Sequence, residues 1–151
     1  MKLAEALYER ADLQRRLSML SVRIKELAQV QEGDTPPEDP EKLLLEYGKL
    51  NRRLEALVAK INKVNATSLF DESRTITDIL ALRDRLKRDF DLYNELADAA
   101  ARQTVRWTRS EVKLEATVSV EKLREKANEI AKELRAVDVR VQELNWQIEC
   151  D

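Results

Sequence analysis

Apolar side chains recur at alternating steps of three and four residues along most of this 151-residue chain. Such spacing places one apolar seam on one face of an α-helix, and a helix with so narrow a seam needs partner helices along its length. The pattern predicts four helices, over about 2–30, 40–65, 75–102 and 120–148. We therefore expect an all-α fold, a single domain built as an elongated, antiparallel bundle or coiled coil of long helices.

The composition and the helix starts agree with this expectation. Only 2 residues are Gly and 3 are Pro, while charged residues make up 37% of the chain and aromatic residues 5%. These values are typical of helical bundles rather than of β-sandwiches, barrels or doubly wound sheets. Asp39 precedes Pro40, which suits the first position of a helix because its missing N–H would be unpaired there. Thr75 and Asp78 have the spacing of a capping box, and Gly33 is expected to end the first helix.

The periodicity changes to two between the third and fourth helices. Apolar and polar residues alternate there, and several are β-branched, which favours strands. We therefore predict a small β-hairpin over 104–118, before a last helix that Ser119 can cap, and a frayed helix end is the alternative. The residues expected to form the hairpin's apolar part, and an interface between copies of the chain, are Trp107, Val112, Leu114, Ala116 and Val118.

Charge and apolar runs limit the classes of partner. The 27 basic and 29 acidic residues give a net charge of −2, so no global field favours nucleic acid. The apolar runs are far too short for a membrane span, and the N-terminus lacks the apolar region of a signal peptide. The single cysteine, Cys150, allows no disulfide within the chain. We expect a cytoplasmic protein that binds no nucleic acid.

Histidine is absent from the chain. Its absence excludes Ser-His-Asp and Cys-His catalysis, and zinc or di-iron sites that need His ligands. Cys150, beside the chain end, is expected to be an inert thiol. A carboxylate-only magnesium site is the weaker alternative, because the acidic residues are spread over solvent-facing positions. We predict no catalytic residue, no cofactor and no metal ligand, and favour a protein without enzymatic activity.

A dense polar stretch, the polar bend, separates the second and third predicted helices. Free N–H groups at the start of the third helix, with Arg74 beside them, could hold a phosphate or a carboxylate. The alternative, which we favour, is that the polar side chains only cap the ends of the two helices, as capping boxes usually do. The candidate ligand-binding residues are Asn62, Asn65, Arg74, Thr75, Thr77 and Asp78.

Two arginines, Arg10 and Arg83, occupy seam positions that are otherwise apolar. Each could pair with a carboxylate of a neighbouring helix and so set the register of the two helices. Each could instead leave its aliphatic stem in the core and extend its charged end past the seam. The sequence leaves both alternatives open, and neither implies catalysis.

Four stretches of the sequence resemble one family of small bacterial helical proteins, commonly labelled septicolysin. They are MKLAEAL, VQEGDTPPEDPEKLL, INKVNATSLFDESRTITDILALRDRL and WTRSEVKLEATVSVEKLREKANEIAKELRAVDVRVQELNWQIE. The resemblance covers nearly the whole chain and implies a helical fold and oligomerisation. The label suggests a cytolysin, but the sequence lacks the export signal, the membrane span and the long amphipathic hairpin of a secreted pore-former.

These observations predict a non-enzymatic, cytoplasmic scaffold or interaction protein that forms homo-oligomers. Its mechanism would be the burial of complementary helix seams between chains. The first alternative is a protein or enzyme that binds a small anion or a phosphate-bearing ligand at the bend over 62–78. The second is a membrane-active protein, as the family label suggests.

Overall fold

The structure is a computed structural model that describes residues 1–102 and 113–151. It consists of four helices, α1 (Leu3–Glu26), α2 (Pro40–Thr67), α3 (Ile76–Ala101) and α4 (Val120–Gln147). The all-α prediction is therefore confirmed. In the described residues, no helix is both long enough and apolar enough to cross a membrane.

The starts of α2 and α4 have the caps that the sequence predicts. The Asp39 carboxylate accepts a hydrogen bond from the backbone N–H of Glu41 at 3.0 Å, and Pro40 is the first residue of α2. The hydroxyl of Ser119 accepts a hydrogen bond from the backbone N–H of Lys122 at 3.3 Å, at the start of α4. Each side chain satisfies an N–H group that has no partner within its helix.

The first helix ends at Glu26, earlier than the predicted end near residue 30. The two backbone N–H groups after Glu26 donate to carbonyls three residues back, at 3.1 and 3.2 Å, so the helix closes in a tighter final turn. Gly33 lies further on, where Asp34 N–H donates to Gln31 O at 2.9 Å. Its φ of 89° suits the third position of this turn. Gly33 therefore shapes the loop and does not itself end the helix.

The β-hairpin predicted over 104–118 is not seen. Residues 103–112, which include Trp107 and Val112, lie outside the described residues. Residues 113–118 are described; they are exposed and form no strand. Alternation with a period of two gives a stable strand only where a neighbouring strand supplies hydrogen bonds, and the described part of the chain offers 113–118 none.

The chain divides into two compact units. The first comprises Met1–Leu69 and Gln142–Asp151, and the second comprises Phe70–Val141. Helices α1 and α2 belong to the first unit and α3 to the second, while α4 contributes residues to both. The organisation as a single domain stays a prediction.

The core of the first unit lies between α1 and α2. Glu9 forms an ion pair with Arg53, and Arg23, later in α1, pairs with Glu38, which is earlier in the chain than Arg53. Glu38 lies just before the start of α2, so the end of α1 lies near the start of α2 while Glu9, near the start of α1, meets Arg53 further along α2; the two helices are therefore antiparallel. The buried apolar residues of this unit are Leu3, Ala4, Ala6, Leu13, Leu17, Leu20, Leu43, Leu57, Ile61, Leu144 and Cys150.

The core of the second unit lies between α3 and the part of α4 before residue 142. Arg83 pairs with Asp138, and Asp98, later in α3, pairs with Arg124, earlier in α4, so these helices are antiparallel as well. The apolar seams predicted for both helices supply the core. Its buried residues are Ile79, Leu86, Ile130, Val137 and Val141, against which Phe70, Leu82, Phe90, Tyr93 and Leu134 pack.

The two ends of the described chain lie together in the first unit. The backbone N–H of Leu3 donates to Ile148 O at 2.9 Å, and that of Cys150 donates to the carbonyl of the first residue at 2.7 Å. Between them, Lys2 and Glu149 form an isolated antiparallel bridge, and their side chains form an ion pair. We call these contacts the terminal bridge. It brings Cys150, close to residue 151 in the sequence, into a buried position.

Candidate functional site

The polar bend between α2 and α3 is organised around Asp71. Its carboxylate accepts hydrogen bonds from the backbone N–H groups of Ser73, at 3.1 Å, and Arg74, at 2.8 Å. The same carboxylate accepts a bond from Arg74 Nε at 2.7 Å. An Asp side chain that bonds to the backbone two residues on forms an Asx-turn, a common local structure in bends. The Arg74 side chain is therefore held by its own bend.

The electrostatics of the bend follow from these bonds. The Arg74 guanidinium, and then the backbone N–H groups of Ser73 and Arg74, lower the pKa of Asp71 to about 2. Hydrogen bonds to the charged form of an acid favour that form. Asp71 therefore stays ionised at neutral pH and supplies the anionic partner that Arg74 would otherwise seek in a ligand.

The start of α3 has the predicted capping box. Asp78 N–H donates to Thr75 Oγ1 at 3.3 Å, and Thr75 N–H donates to Asp78 Oδ2 at 2.8 Å. The backbone and hydroxyl donors of Thr75 lower the pKa of Asp78. An ionised carboxylate already lies at the positive end of the helix dipole. A phosphate approaching the same end would meet this carboxylate and that of Asp71, so the contacts favour capping over ligand binding.

The predicted ligand-binding residues do not all lie in one unit. Arg74, Thr75 and Asp78 lie together at the start of α3, in the second unit. Thr77 is exposed on the first turn of α3. Asn62 and Asn65 belong to α2 in the first unit, where Asn62 lines an open groove along that helix and Asn65 is half-buried. Residues 1–102 and 113–151 contain no cluster of three or more His, Cys, Asp or Glu side chains that could hold a metal ion.

The two arginines at seam positions differ in their contacts. Arg83 Nη1 lies 3.5 Å from Asp138 Oδ1, so the paired alternative holds at this position. The Nε atoms of both Arg83 and Arg10 are buried and have no hydrogen-bond partner among the described residues. The stems of the two side chains therefore lie within the packed part of their helices, as the second alternative requires.

The predicted interface residues before α4 lie only in part within the described residues. Leu114, Ala116 and Val118 are exposed and free of regular secondary structure. Trp107 and Val112 lie outside the part of the chain that the structure describes. The contribution of these five residues to an interface stays a prediction.

Sequence reasoning missed an exposed aromatic pair in the first unit. The ring centroids of Tyr8 on α1 and Trp146 near the end of α4 are 6.4 Å apart, and the ring planes are inclined by 46°. The two residues are 71% and 53% exposed, respectively. Tilted aromatic pairs at this separation attract each other beyond the area that they bury. A single sequence contains no signal for a contact between two residues so far apart along the chain.

Sequence reasoning also left Asp71 out of the candidate site. A sequence signal was present, because Asp in a polar stretch between two helices commonly forms an Asx-turn with the backbone two residues further on. The bend therefore depends on a residue that the helix-dipole argument does not consider.

Comparison with known proteins places the chain in a family. Residues 10–150 match a family of unknown function, DUF6847. The chain is also similar to a crystal structure of a functionally unknown conserved protein from Corynebacterium diphtheriae. The two share 43% sequence identity and a TM-score of 0.94 over 100% of this chain and 99% of that chain. No curated protein matches the sequence. The chain belongs to DUF6847, a family of unknown function.

Proposed function

We propose that this protein is a non-enzymatic helical scaffold or interaction protein that associates with further copies of itself. The observation that carries the proposal is a set of large apolar side chains, all more than half exposed, on the helices of the first unit. Single exposed apolar residues are normal on a protein surface, but several on neighbouring helices are typical of an interaction site. The residues are Tyr8, Met19, Val22, Leu44, Leu45 and Trp146.

The mechanism of association is burial of helix surfaces between copies. Helices of 24 and 28 residues, as α1 and α2 are, offer long surfaces of regular spacing to a partner helix. Two-fold symmetry is the commonest arrangement of identical chains, and it requires a surface that is complementary to itself. The elongated coiled-coil form and the cytoplasmic location belong to the same proposal.

The segment before α4 is proposed as a second contact region. Leu114 and Val118 are large apolar residues that lie exposed there, which supports a role in covering a neighbouring chain. Trp107, Val112 and Ala116 complete the predicted set. Replacement of Leu114 by Lys should weaken association if this segment contributes to it.

The alternative function, binding of a small anion at the polar bend, is less well supported. Its positive group, Arg74, is already paired with Asp71, and Asp78 already caps the helix. Native mass spectrometry after gentle purification would test it directly. A bound anion that is lost on Arg74→Ala, in a variant that stays folded, would favour ligand binding over capping.

The resemblance to the family labelled septicolysin supports association, and lytic activity, which the label suggests, is the alternative that we do not favour. Leakage of a dye from liposomes tests it, and we expect the protein to release none. Rapid leakage at micromolar protein would favour the membrane-active alternative over the scaffold.

The mass in solution tests the proposed function. We expect light scattering and sedimentation at micromolar concentration to give a multiple of the 17.5 kDa chain mass. A monomer under these conditions would contradict the proposal.

A further inference from the structure

Helix α1 carries an exposed stripe of its own, on the side away from its buried residues. Its residues alternate by four and three, which on a helix of 3.6 residues per turn places them within about 40° of one line. The buried residues of α1, such as Leu13 and Leu17, lie on the other side of the helix. We call this set the outer stripe; it consists of Tyr8, Asp12, Arg15, Met19 and Val22.

The outer stripe has large apolar residues towards its ends and opposite charges at its centre. Tyr8 is 71% exposed and Met19 is 68% exposed. Between them, Arg15 Nη2 lies 2.9 Å from Asp12 Oδ1, and both side chains are half exposed or more. The Asp12–Arg15 pair and the Tyr8–Met19 pair are centred on the same point of the helix.

This common centre makes the stripe complementary to a second copy of itself. If two α1 helices pack antiparallel about a two-fold axis at that point, Asp12 of each copy faces Arg15 of the other. Tyr8 of each copy then faces Met19 of the other. The four charges alternate in sign, and opposite charges across an interface fix register and direction.

A groove beside Met19 supplies a seat for the facing ring. It has a volume of about 230 Å³, and its lining residues, three apolar and three charged, are Arg16, Met19, Leu20, Arg23, Glu46 and Leu50. That volume is below the range of roughly 300–1,000 Å³ of ligand pockets, whereas a cavity of about 150 Å³ holds a benzene ring. The groove therefore fits one aromatic side chain better than a ligand.

The ring that would enter this groove is held in place before association. Tyr8 packs at 6.4 Å against Trp146, so part of its conformational freedom is already lost in the single chain. Aromatic side chains that lose little freedom on binding are the residues that contribute most at protein interfaces.

We propose that two copies of this chain associate through α1, antiparallel, with the two-fold axis between Asp12 and Arg15 and with Tyr8 of each copy against Met19 of the other. The inference rests on the proposed self-association and names its surface. The partner is a second copy because, in an antiparallel pair, each charge of the outer stripe faces the opposite charge of the same stripe on the other copy.

Cross-linking tests the direction and the register. In a Cys150→Ser background, Tyr8→Cys and Met19→Cys chains are treated, separately and mixed, with a bismaleimide that spans about 8–10 Å, the usual distance between packed helices. The mixture should give a covalent dimer, and each variant alone should give none, since equal positions would lie about 16 Å apart along the axis. Dimers from each variant alone would show parallel helices, and absence of product from the mixture would place the contact elsewhere; either result overturns the proposal.

Charge reversal supplies a second test that does not depend on new cysteines. Asp12→Arg places two positive charges opposite each other in both halves of the interface, and we expect the dissociation constant to rise about tenfold or more. Arg15→Asp should act in the same way. The double variant Asp12→Arg/Arg15→Asp restores alternating charges and should return the constant to within about threefold of the wild type.

The matched control is the Arg85–Asp89 pair, which is also exposed and within one helix, but on α3 of the second unit. Arg85→Asp should leave the dissociation constant unchanged. A wild-type monomer would overturn both this surface and the proposed function. A wild-type oligomer that Asp12→Arg leaves intact would overturn this surface alone.

Discussion

Arg83 on α3 and Asp138 on α4 join their two helices through an ion pair of 3.5 Å. Arg83 stands at a seam position, where an apolar residue would be expected, and its buried Nε atom has no partner among the described residues. The end of the guanidinium thus extends to a carboxylate while the stem stays in the packed region. One arginine satisfies both interpretations that the sequence allows.

The ion pair should contribute little but measurably to stability. The side chains of Arg83 and Asp138 are 28% and 45% exposed, so water screens much of their attraction. We expect a double-mutant cycle with Arg83→Met and Asp138→Asn to give a coupling energy of about 0.2–1 kcal/mol in urea unfolding. A cycle on Arg85 and Asp89, within one helix, gives the comparison value. A coupling energy of zero for Arg83 and Asp138 would contradict the pairing.

Loss of volume in the core of the second unit should cost far more. Leu86 is 2% exposed in this core, and Leu86→Ala should lower the free energy of unfolding by about 2–5 kcal/mol. Leu92, on the same helix but 62% exposed, is the matched control. Leu92→Ala should change the free energy of unfolding by less than about 0.5 kcal/mol. Chemical denaturation followed by circular dichroism measures both. Equal effects would mean that the assigned faces of α3 are wrong.

The polar bend should make the protein sensitive to acid. The pKa of Asp71 is lowered from 3.8 to about 2 in the folded chain, so its contribution to stability is complete above the unfolded pKa. As the pH falls from about 4 to about 2, Asp71 is protonated in the unfolded chain before it is protonated in the folded chain. The stability that ionised Asp71 contributes is therefore lost over this range. Urea midpoints measured across this range should fall.

The share of this loss that belongs to Asp71 can be isolated by substitution. Asp71→Asn removes the titrating group and should reduce the fall of the urea midpoint. The control is Glu72→Gln, at the adjacent exposed position, which should leave most of the fall of the midpoint unchanged. An acid dependence of Asp71→Asn identical to that of the wild type would contradict the bonding assigned to the bend.

The thiol of Cys150 should be protected in the native protein. Cys150 is 3% exposed, and burial raises its pKa, so the reactive thiolate is disfavoured. We expect almost no alkylation by iodoacetamide until urea unfolds the chain. A Leu92→Cys/Cys150→Ser variant, with its thiol at an exposed position of the second unit, should react without urea. Native alkylation of Cys150 at the rate of that control would show that the terminal bridge opens readily.

The sequence predicted the helices because their signals are local. Each signal involves residues only a few positions apart, and each appears in the structure. The signals are the apolar seams, Asp39 before Pro40 and the Thr75–Asp78 spacing. The end of α1 was placed too late because the glycine taken as its stop, Gly33, belongs to a separate turn. The hairpin over 104–118 is predicted from alternation and from β-branched residues, and a strand also needs a partner strand that these local signals do not supply.

The candidate site could be predicted only in part, for a similar reason. The capping residues of the bend were named correctly, but the pairing of Arg74 with Asp71 removed the free positive charge on which an anion site depends. The Tyr8–Trp146 pair joins α1 to the far end of the chain, and a single sequence contains no signal for such a contact. The outer stripe could have been found, since its four-three spacing is as regular as that of the buried seam.

The terminal bridge has a consequence for how the chain can be rearranged. Leu3 and Ile148 are joined by a backbone hydrogen bond, and the amino group of Met1 donates to Asp151 Oδ1 at 3.1 Å, so residues 1 and 151 are neighbours in space. A short linker between the two ends, with a new opening in the exposed loop around Gly33, would keep α1 and α2 packed while reversing their order in the sequence. Such a circular permutant would show whether the packing of α1 on α2 depends on the order in which the two helices are synthesised.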